Sequence, residues 1–89
     1  MLSEGATYAP AGPDAEAAIE IEIQKAAGPI YFRIPASTFA AAFGKTGDSR
    51  EHLFRAFIAK KFNIWPKLSK KVTCVPVGEL YTVTPQDLR

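Results

Sequence analysis

The chain has 89 residues, a net charge of +2 and a single cysteine, and 47% of its residues are hydrophobic. This length allows one small domain, and one cysteine excludes both an intramolecular disulfide and a cysteine-based zinc cluster. No apolar run approaches the ~20 residues of a membrane span, and the first residues lack the basic and apolar regions of a secretory signal. We therefore expect a cytoplasmic protein with no membrane association.

Charge is distributed unevenly along the chain. Residues 1–44 carry five acidic and two basic residues, whereas residues 45–89 carry nine basic and four acidic ones. Most of the bases lie between residues 45 and 71. This pattern predicts a dipolar molecule with one electropositive part, which is the part that attracts polyanions.

The first 16 residues are rich in Ala, Gly and Pro and have no apolar period. Pro10 and Pro13 are incompatible with a continuous helix or a central strand. We predict a flexible or extended lead-in over residues 1–16, followed by a single domain over residues 17–89.

Two segments of alternating hydrophobicity predict a first β-hairpin. Residues 18–24 place isoleucines on one face and polar residues on the other, and residues 30–34 alternate in the same way. The residues between them, Ala-Ala-Gly-Pro, are typical of a turn. A four-residue loop predicts these cross-strand pairs: Lys25 with Ile30, Ile23 with Phe32, Ile21 with Ile34, and Glu22 with Arg33.

A short helix is predicted directly after this hairpin. It spans residues 36–43, with Ser37 as its N-cap and Gly44 as the residue that ends it.

A longer helix is predicted to begin at Asp48, where Glu51 completes a variant of the capping box. Its apolar side chains spread over about half of the helix circumference. Asn63 and Pro66 are expected to end this helix, which leaves residues 63–71 as a connector.

Residues 72–77 and 80–84 predict a second hairpin with Gly78 in its loop, and Pro76 places its own strand at an edge or a bulge. The element order is then β-β-α-α-β-β. We predict an α+β fold in which an antiparallel β-sheet of two hairpins is packed on one face by two helices. The interface is expected to contain Phe39, Phe43, Leu53, Phe54, Phe57 and Ile58.

The sequence offers few residues for catalysis. It has one histidine, His52, and one cysteine, Cys74, and it lacks the spacings of known metal-binding and phosphate-binding motifs. We expect no cofactor, no metal and no enzymatic activity. One enzymatic alternative stays open, a small toxin-type ribonuclease that works without a metal. Its candidate residues are His52, Arg55, Lys60 and Tyr81.

The basic part of the chain is the main functional signal. Lysines neutralise phosphates, arginine grips them in bidentate fashion, and an aromatic ring stacks on a base. We predict a small non-enzymatic binding protein that contacts nucleic acid, or a partner protein, through the helix and connector over residues 55–71. The candidate residues are Arg55, Lys60, Lys61, Trp65, Lys67, Lys70 and Lys71.

A protein partner is the main alternative. In size and layout the chain resembles the very small proteins of phages and mobile elements, including some anti-CRISPR inhibitors. That resemblance implies an inhibitor or adaptor that binds a host protein complex, and it maps no individual residue. Glu20 and Glu22 on one sheet face would then imitate phosphates. The sheet edges would also allow strand addition by a partner or a homodimer paired through a sheet edge.

Overall fold

The computed structural model describes residues 4–44, 47 and 49–88. This part of the chain is an α+β domain with the element order β1-β2-β3-α1-α2-β4, which confirms the predicted fold class. Two short 3₁₀ turns, at Val72–Cys74 and Pro85–Leu88, follow α2 and β4. The strands are β1 (Glu4–Ala9), β2 (Ala18–Lys25), β3 (Gly28–Pro35) and β4 (Leu80–Thr82), and the helices are α1 (Ala36–Phe43) and α2 (Arg50–Lys71).

The four strands form one mixed sheet in the order β1-β2-β3-β4. The pairs β1–β2 and β2–β3 are antiparallel, whereas β4 runs parallel to β3. The predicted first hairpin is therefore confirmed, and the predicted second hairpin is wrong. Val72–Cys74 continues directly from α2 as a 3₁₀ turn, and within the described residues no strand lies between α2 and Gly78 with which β4 could form a hairpin.

β4 instead joins the free edge of β3. The amide of Gly78 donates to the carbonyl of Pro29 (2.7 Å), and the amide of Val83 donates to the carbonyl of Arg33 (2.8 Å). These bonds satisfy backbone groups at the edge of β3, which is otherwise open. Only three residues of β4 pair, a length at which the sequence pattern carries little information.

The sequence did not predict β1, because its segment was expected to be a lead-in. Residues 4–9 pair with β2 in a register that aligns Tyr8 with Ile19 and Ala6 with Ile21. The side chains of Ala6 and Tyr8 are half-buried against the core. β1 consists mostly of small, weakly apolar residues, so its strand conformation depends on pairing with β2 rather than on its own β-propensity. The boundary at residue 17 stays a prediction.

The register of the first hairpin is shifted by two residues from the predicted one. Lys25 pairs with Gly28 across a two-residue connection, so Arg33 lies opposite Glu20 instead of Glu22. Gly28 has a φ of 140°, which favours glycine, and a Cβ at this position would lie 2.6 Å from Val77 Cγ1. The shift is an even number of residues, so every side chain keeps its predicted face.

The core lies between one face of the sheet and the two helices. Six side chains from β2 and β3 are fully buried on that face: Ile19, Ile21, Ile23, Ile30, Phe32 and Ile34. Helix residues Phe39, Leu53 and Phe57 cover them, as predicted. Of the other three expected interface residues, Phe43 and Phe54 are only half-buried, and Ile58 is wrong because 67% of it is exposed.

Helix α1 has the predicted bounds and ends as expected at Gly44, whose φ is 95° and whose amide donates to the carbonyl of Ala40. The predicted N-cap is wrong, because Pro35 occupies the N-cap position and Ser37 lies inside the helix. The carboxylate of Glu16 provides the cap instead, accepting from the Ser37 amide (2.5 Å) and hydroxyl (3.0 Å). A carboxylate at a helix N-terminus also complements the helix dipole.

Helix α2 is longer than predicted. It begins at Arg50 with Ser49 as N-cap, and the predicted start at Asp48 lies outside the described residues. It continues through Pro66 to Lys71, so the predicted end near Asn63 and the connector over residues 63–71 are wrong.

A proline inside a helix removes one backbone hydrogen bond and costs about 3 kcal/mol. Here that cost is offset by Ile64 and Leu68, which lie on either side of Pro66 and are fully buried. Each buried side chain of this size contributes about 1.5–3 kcal/mol. Packing on the sheet therefore keeps the helix intact where local propensity would end it.

The continuity of α2 predicts that Pro66→Ala stabilises the protein. Pro66 is exposed, and alanine restores the amide that the carbonyl of Phe62 lacks. We expect the free energy of unfolding in urea to rise by about 1–3 kcal/mol. Ser69→Ala, also exposed on α2, is the matched control and should add only about 0.5 kcal/mol. An unchanged or lower stability of Pro66→Ala would mean that the helix does not run through this position.

Candidate functional site

All seven predicted site residues lie on α2, because the segment expected to be a connector is helical. The helix carries seven basic residues and one acidic residue, Glu51, over 22 positions. At about 100° per residue, their directions around the helix axis follow from the sequence. The buried residues Leu53, Phe57, Ile64 and Leu68 define the side that faces the sheet.

One group of lysines lies on the flank of α2 that faces α1. Lys60, Lys67 and Lys71 are spaced i, i+7 and i+11 and are half-buried. The ammonium of Lys60 lies 5.7 Å from the centre of the Phe43 ring, and Lys71 forms an ion pair with Asp87 (3.3 Å). Lys60 and Lys71 on this flank therefore make contacts within the domain.

A second group lies opposite the core. Arg55 and Lys70 are exposed and point away from the sheet, and Phe62 lies on the same side with 88% of its surface exposed. We call Arg55, Phe62 and Lys70 the outer face of α2. An aromatic ring exposed to this extent and flanked by cations is a surface on which an unpaired base can stack.

The third group lies on the flank that faces away from α1. Lys61 and Trp65 are half-buried there, and the Trp65 ring packs edge-on against Phe57, with ring centres 6.0 Å apart. Trp65 is thus part of the edge of the core. The predicted single surface is split into three groups of residues, and only Arg55 and Lys70 share the outer face.

Phe62 was not among the predicted site residues, although the sequence places it both among the apolar positions of the helix and between the bases of residues 55–71. The pattern that would have identified Phe62 as exposed is the helical spacing of the apolar residues on both sides of Pro66. Extending the pattern to Ile64 and Leu68 moves the centre of the buried stripe away from Phe62. That extension requires a helix that passes a proline, which local rules disfavour.

The acidic residues of the strands lie on the other side of the molecule. Glu20 and Glu22 occupy the sheet face that the helices leave uncovered. Glu20 accepts a hydrogen bond from Arg33 (2.7 Å), and Glu22 accepts one from Gln24. The unequal charge of the two sequence halves becomes a separation of charge between the sheet face and α2.

A network of hydrogen bonds closes the C-terminal end of α2. Asp87 accepts from the hydroxyl of Tyr81 (2.7 Å) and from the amide (2.9 Å) and hydroxyl (3.0 Å) of Thr84, and it pairs with Lys71. The bond to Asp87, followed by burial, raises the pKa of Tyr81 to about 12. Burial alone would raise the pKa of Asp87, but the bonds from Thr84, Tyr81 and Lys71 outweigh it and leave the pKa below its usual range.

The four ribonuclease candidates do not converge. His52 lies at the start of α2, where its Nδ1 is 2.8 Å from Ser49 Oγ. Tyr81 lies at the other end, beside Lys71, about 28 Å further along the helix axis. Cys74 is exposed in the turn that follows α2 and is equally remote from His52.

Within the described residues, no group of three or more His, Cys, Asp or Glu side chains is arranged to hold a metal ion. Of the helices in this part of the chain, none combines the length and apolar character needed to cross a membrane. Comparison with protein-family models, with curated proteins and with solved structures finds no significant match. Any function proposed for the chain therefore rests on its own geometry and charge.

The Asp87 network predicts a pH-dependent contribution to stability. Asp87→Asn should lower the free energy of unfolding at pH 7 by about 1–3 kcal/mol, because Tyr81, Thr84 and Lys71 lose a charged acceptor. The pKa of Asp87 is lower in the folded state than its ordinary 3.8. Its contribution is therefore complete above that value and is lost as the pH falls through the folded-state pKa.

Urea unfolding of the wild type and of Asp87→Asn between pH 7 and pH 2 tests this dependence. The difference in stability should narrow below about pH 4. The control variant Asp14→Asn changes an exposed carboxylate and should follow the wild type. A difference that stays constant down to pH 2 would contradict the assigned role of the carboxylate.

Proposed function

We propose that this protein binds single-stranded nucleic acid, without catalysing a reaction on it, through the outer face of α2. The observation that carries the proposal is Phe62, which is 88% exposed between Arg55 and Lys70 on a helix with seven bases and one acid. An apolar ring at such a position gains free energy only when a ligand covers it. Stacking on a base provides that cover, and the cations provide charge for the adjoining phosphates.

The charge distribution supports a polyanionic ligand. α2 is about 33 Å long, long enough for several nucleotides to follow it. The strand acids lie on the opposite face of the sheet, so they do not cancel the potential of the helix at its outer face. Charge separation of this kind also orients the molecule during its approach to a polyanion.

A single strand fits this face better than a duplex. Reading base edges in a duplex groove requires Asn, Gln or Arg side chains along one helix face. Near Phe62, the outward residues Ala59 and Pro66 cannot make such contacts. Stacking needs only an accessible ring and tolerates any base, so we expect weak sequence preference.

The two other functions considered from the sequence have less support. Phosphate mimicry by Glu20 and Glu22 requires free carboxylates, and Glu20 is paired with Arg33. A ribonuclease needs its acid, base and phosphate-binding groups within reach of one bond. His52 and Tyr81 lie at opposite ends of α2.

Fluorescence anisotropy with labelled single-stranded RNA, single-stranded DNA and duplex DNA tests the proposal. We expect the single strands to bind more tightly than the duplex. The logarithm of the affinity should fall against the logarithm of the salt concentration with a slope of about −2 to −3, as expected for three or four phosphate contacts. The RNA should remain intact during the experiment.

Three variants locate the contact. Phe62→Ala should weaken binding by about 5- to 150-fold, the usual worth of one stacked base. Arg55→Gln combined with Lys70→Gln should reduce both the affinity and the salt slope. The charge-matched control, Arg50→Gln combined with Lys60→Gln, removes two charges from other sides of the same helix and should have a smaller effect.

Leu80→Ala is the control for Phe62→Ala, because it truncates an apolar residue that is 48% exposed on the opposite face of the sheet. Absence of binding to any of the three probes at low salt would overturn the proposal. Binding that Phe62→Ala and Arg55→Gln with Lys70→Gln leave unchanged would place the contact elsewhere.

A further inference from the structure

The flank of α2 that faces away from α1 is apolar and incompletely covered. Ile58 is 67% exposed there, and Phe54 is half-buried. α1 packs over β3 and α2 packs over β1 and β2, so the flank opposite α1 faces the β1 side of the molecule. Apolar side chains in such a position are typical of an interface.

The same side of the molecule presents an open sheet edge. β1 is the first strand of the sheet, and among the described residues only β2 pairs with it. Its outer amides and carbonyls are therefore available to another strand. The open edge and the apolar flank of α2 adjoin each other, so one partner can cover both.

We propose that this partner is a second copy of the chain. The two copies are related by a two-fold axis perpendicular to the sheet, which places their β1 strands side by side and antiparallel. The sheet then continues through eight strands, and the two α2 helices lie antiparallel on the same face. Such an interface is isologous, so each surface must be complementary to itself.

The spacing of the elements agrees with this arrangement. Strands in a sheet lie about 4.8 Å apart. Because α2 lies over β1 and β2, each helix axis is about half a strand spacing inside its own β1. The two helix axes are then about two strand spacings, or roughly 9.6 Å, apart. Packed helices are separated by about 8–10 Å, so the strands and the helices can make contact together.

The residues on the flank are self-complementary in both charge and apolar character. Glu51, Phe54, Ile58 and Lys61 all lie within about 80° of arc on this side of α2. Their spacings of three, four and three residues are symmetric about Ala56. In an antiparallel pair centred on Ala56, Phe54 of each copy meets Ile58 of the other, and Glu51 meets Lys61.

This charge complementarity favours a second copy over an unrelated protein. A glutamate and a lysine at symmetric positions form two opposite-charge pairs across a two-fold axis, and the antiparallel helix dipoles add a favourable term. Of the remaining bases of α2, Arg50 lies over the Phe54 ring (5.5 Å) at the border of the seam. The other five lie on the outer face or on the flank toward α1, so their mutual repulsion across the dimer is screened at physiological salt.

Sedimentation velocity of the full chain from 1 to 500 μM, without nucleic acid, tests the assembly. We expect a concentration-dependent monomer–dimer equilibrium. Ile58→Lys places a charge in the seam and should weaken dimerisation at least tenfold. Circular dichroism should show an unchanged fold, because Ile58 is mostly exposed in the single chain.

A charge swap tests the register. Glu51→Lys alone and Lys61→Glu alone should each weaken the dimer, and the double variant should restore at least part of its affinity. Glu79→Lys reverses an exposed acid away from the seam and is the control. A protein that stays monomeric throughout this range overturns the proposal. The proposal is also overturned if Ile58→Lys leaves the dimer affinity unchanged, or if the double variant of Glu51 and Lys61 restores none of that affinity.

Nucleic-acid binding and dimerisation are measured separately in these experiments, and the two proposals use different sides of α2. Either one can therefore fail while the other holds. Arg55 and Lys70 lie on the outer face, away from the four residues of the seam, so Arg55→Gln combined with Lys70→Gln should leave the monomer–dimer equilibrium unchanged.

Discussion

One face of the β2–β3 hairpin must be removed from water, and the rest of the structure depends on that requirement. The face carries five isoleucines and one phenylalanine, all fully buried. A hairpin with such a face is not stable alone and needs a covering layer. α1 follows β3 directly but has only eight residues, so most of the covering layer comes from α2.

This requirement explains the length of α2. The helix keeps its geometry through Pro66 because Ile64 and Leu68 pack on the sheet on both sides of the proline. The same packing fixes the rotation of the helix about its axis. With one side buried, the bases are divided between two flanks and an outer face, and Phe62 is left in solvent. The candidate site is thus a consequence of how the core is covered.

The sequence predicted the elements whose patterns are strong over a local window. Strict alternation identified β2 and β3 and their buried faces, and Pro35 and Gly44 bounded α1. It did not predict β1, which is weakly apolar and forms against β2. It did predict a strand over residues 80–84, but it paired that strand with residues 72–77, whereas β4 pairs with β3. It also ended α2 too early, since a local rule about proline was applied where packing at Ile64 and Leu68 prevails.

The candidate site was predictable only in part, for the same reason. The sequence shows that the bases are concentrated in residues 45–71, but how they group around the helix depends on α2 being continuous. If residues 63–71 formed a connector, the position of Lys70 relative to Arg55 would not follow from the sequence. Phe62 was predicted neither in the interface nor in the site, although its spacing from Ile58 and Phe54 is helical. Ile64 and Leu68, which follow Phe62 and are fully buried, show that the buried side of α2 lies beside the stripe of Phe54, Ile58 and Phe62.

We propose that nucleic acid binds on α2 and not on the uncovered face of the sheet. Backbone amide shifts in an NMR titration with a short single-stranded RNA distinguish the two surfaces. We predict the largest changes at Ala59, Phe62 and Asn63 on α2, with small changes at Glu20 and Glu22. The largest changes on the sheet face, or none anywhere at saturating RNA, would contradict the account.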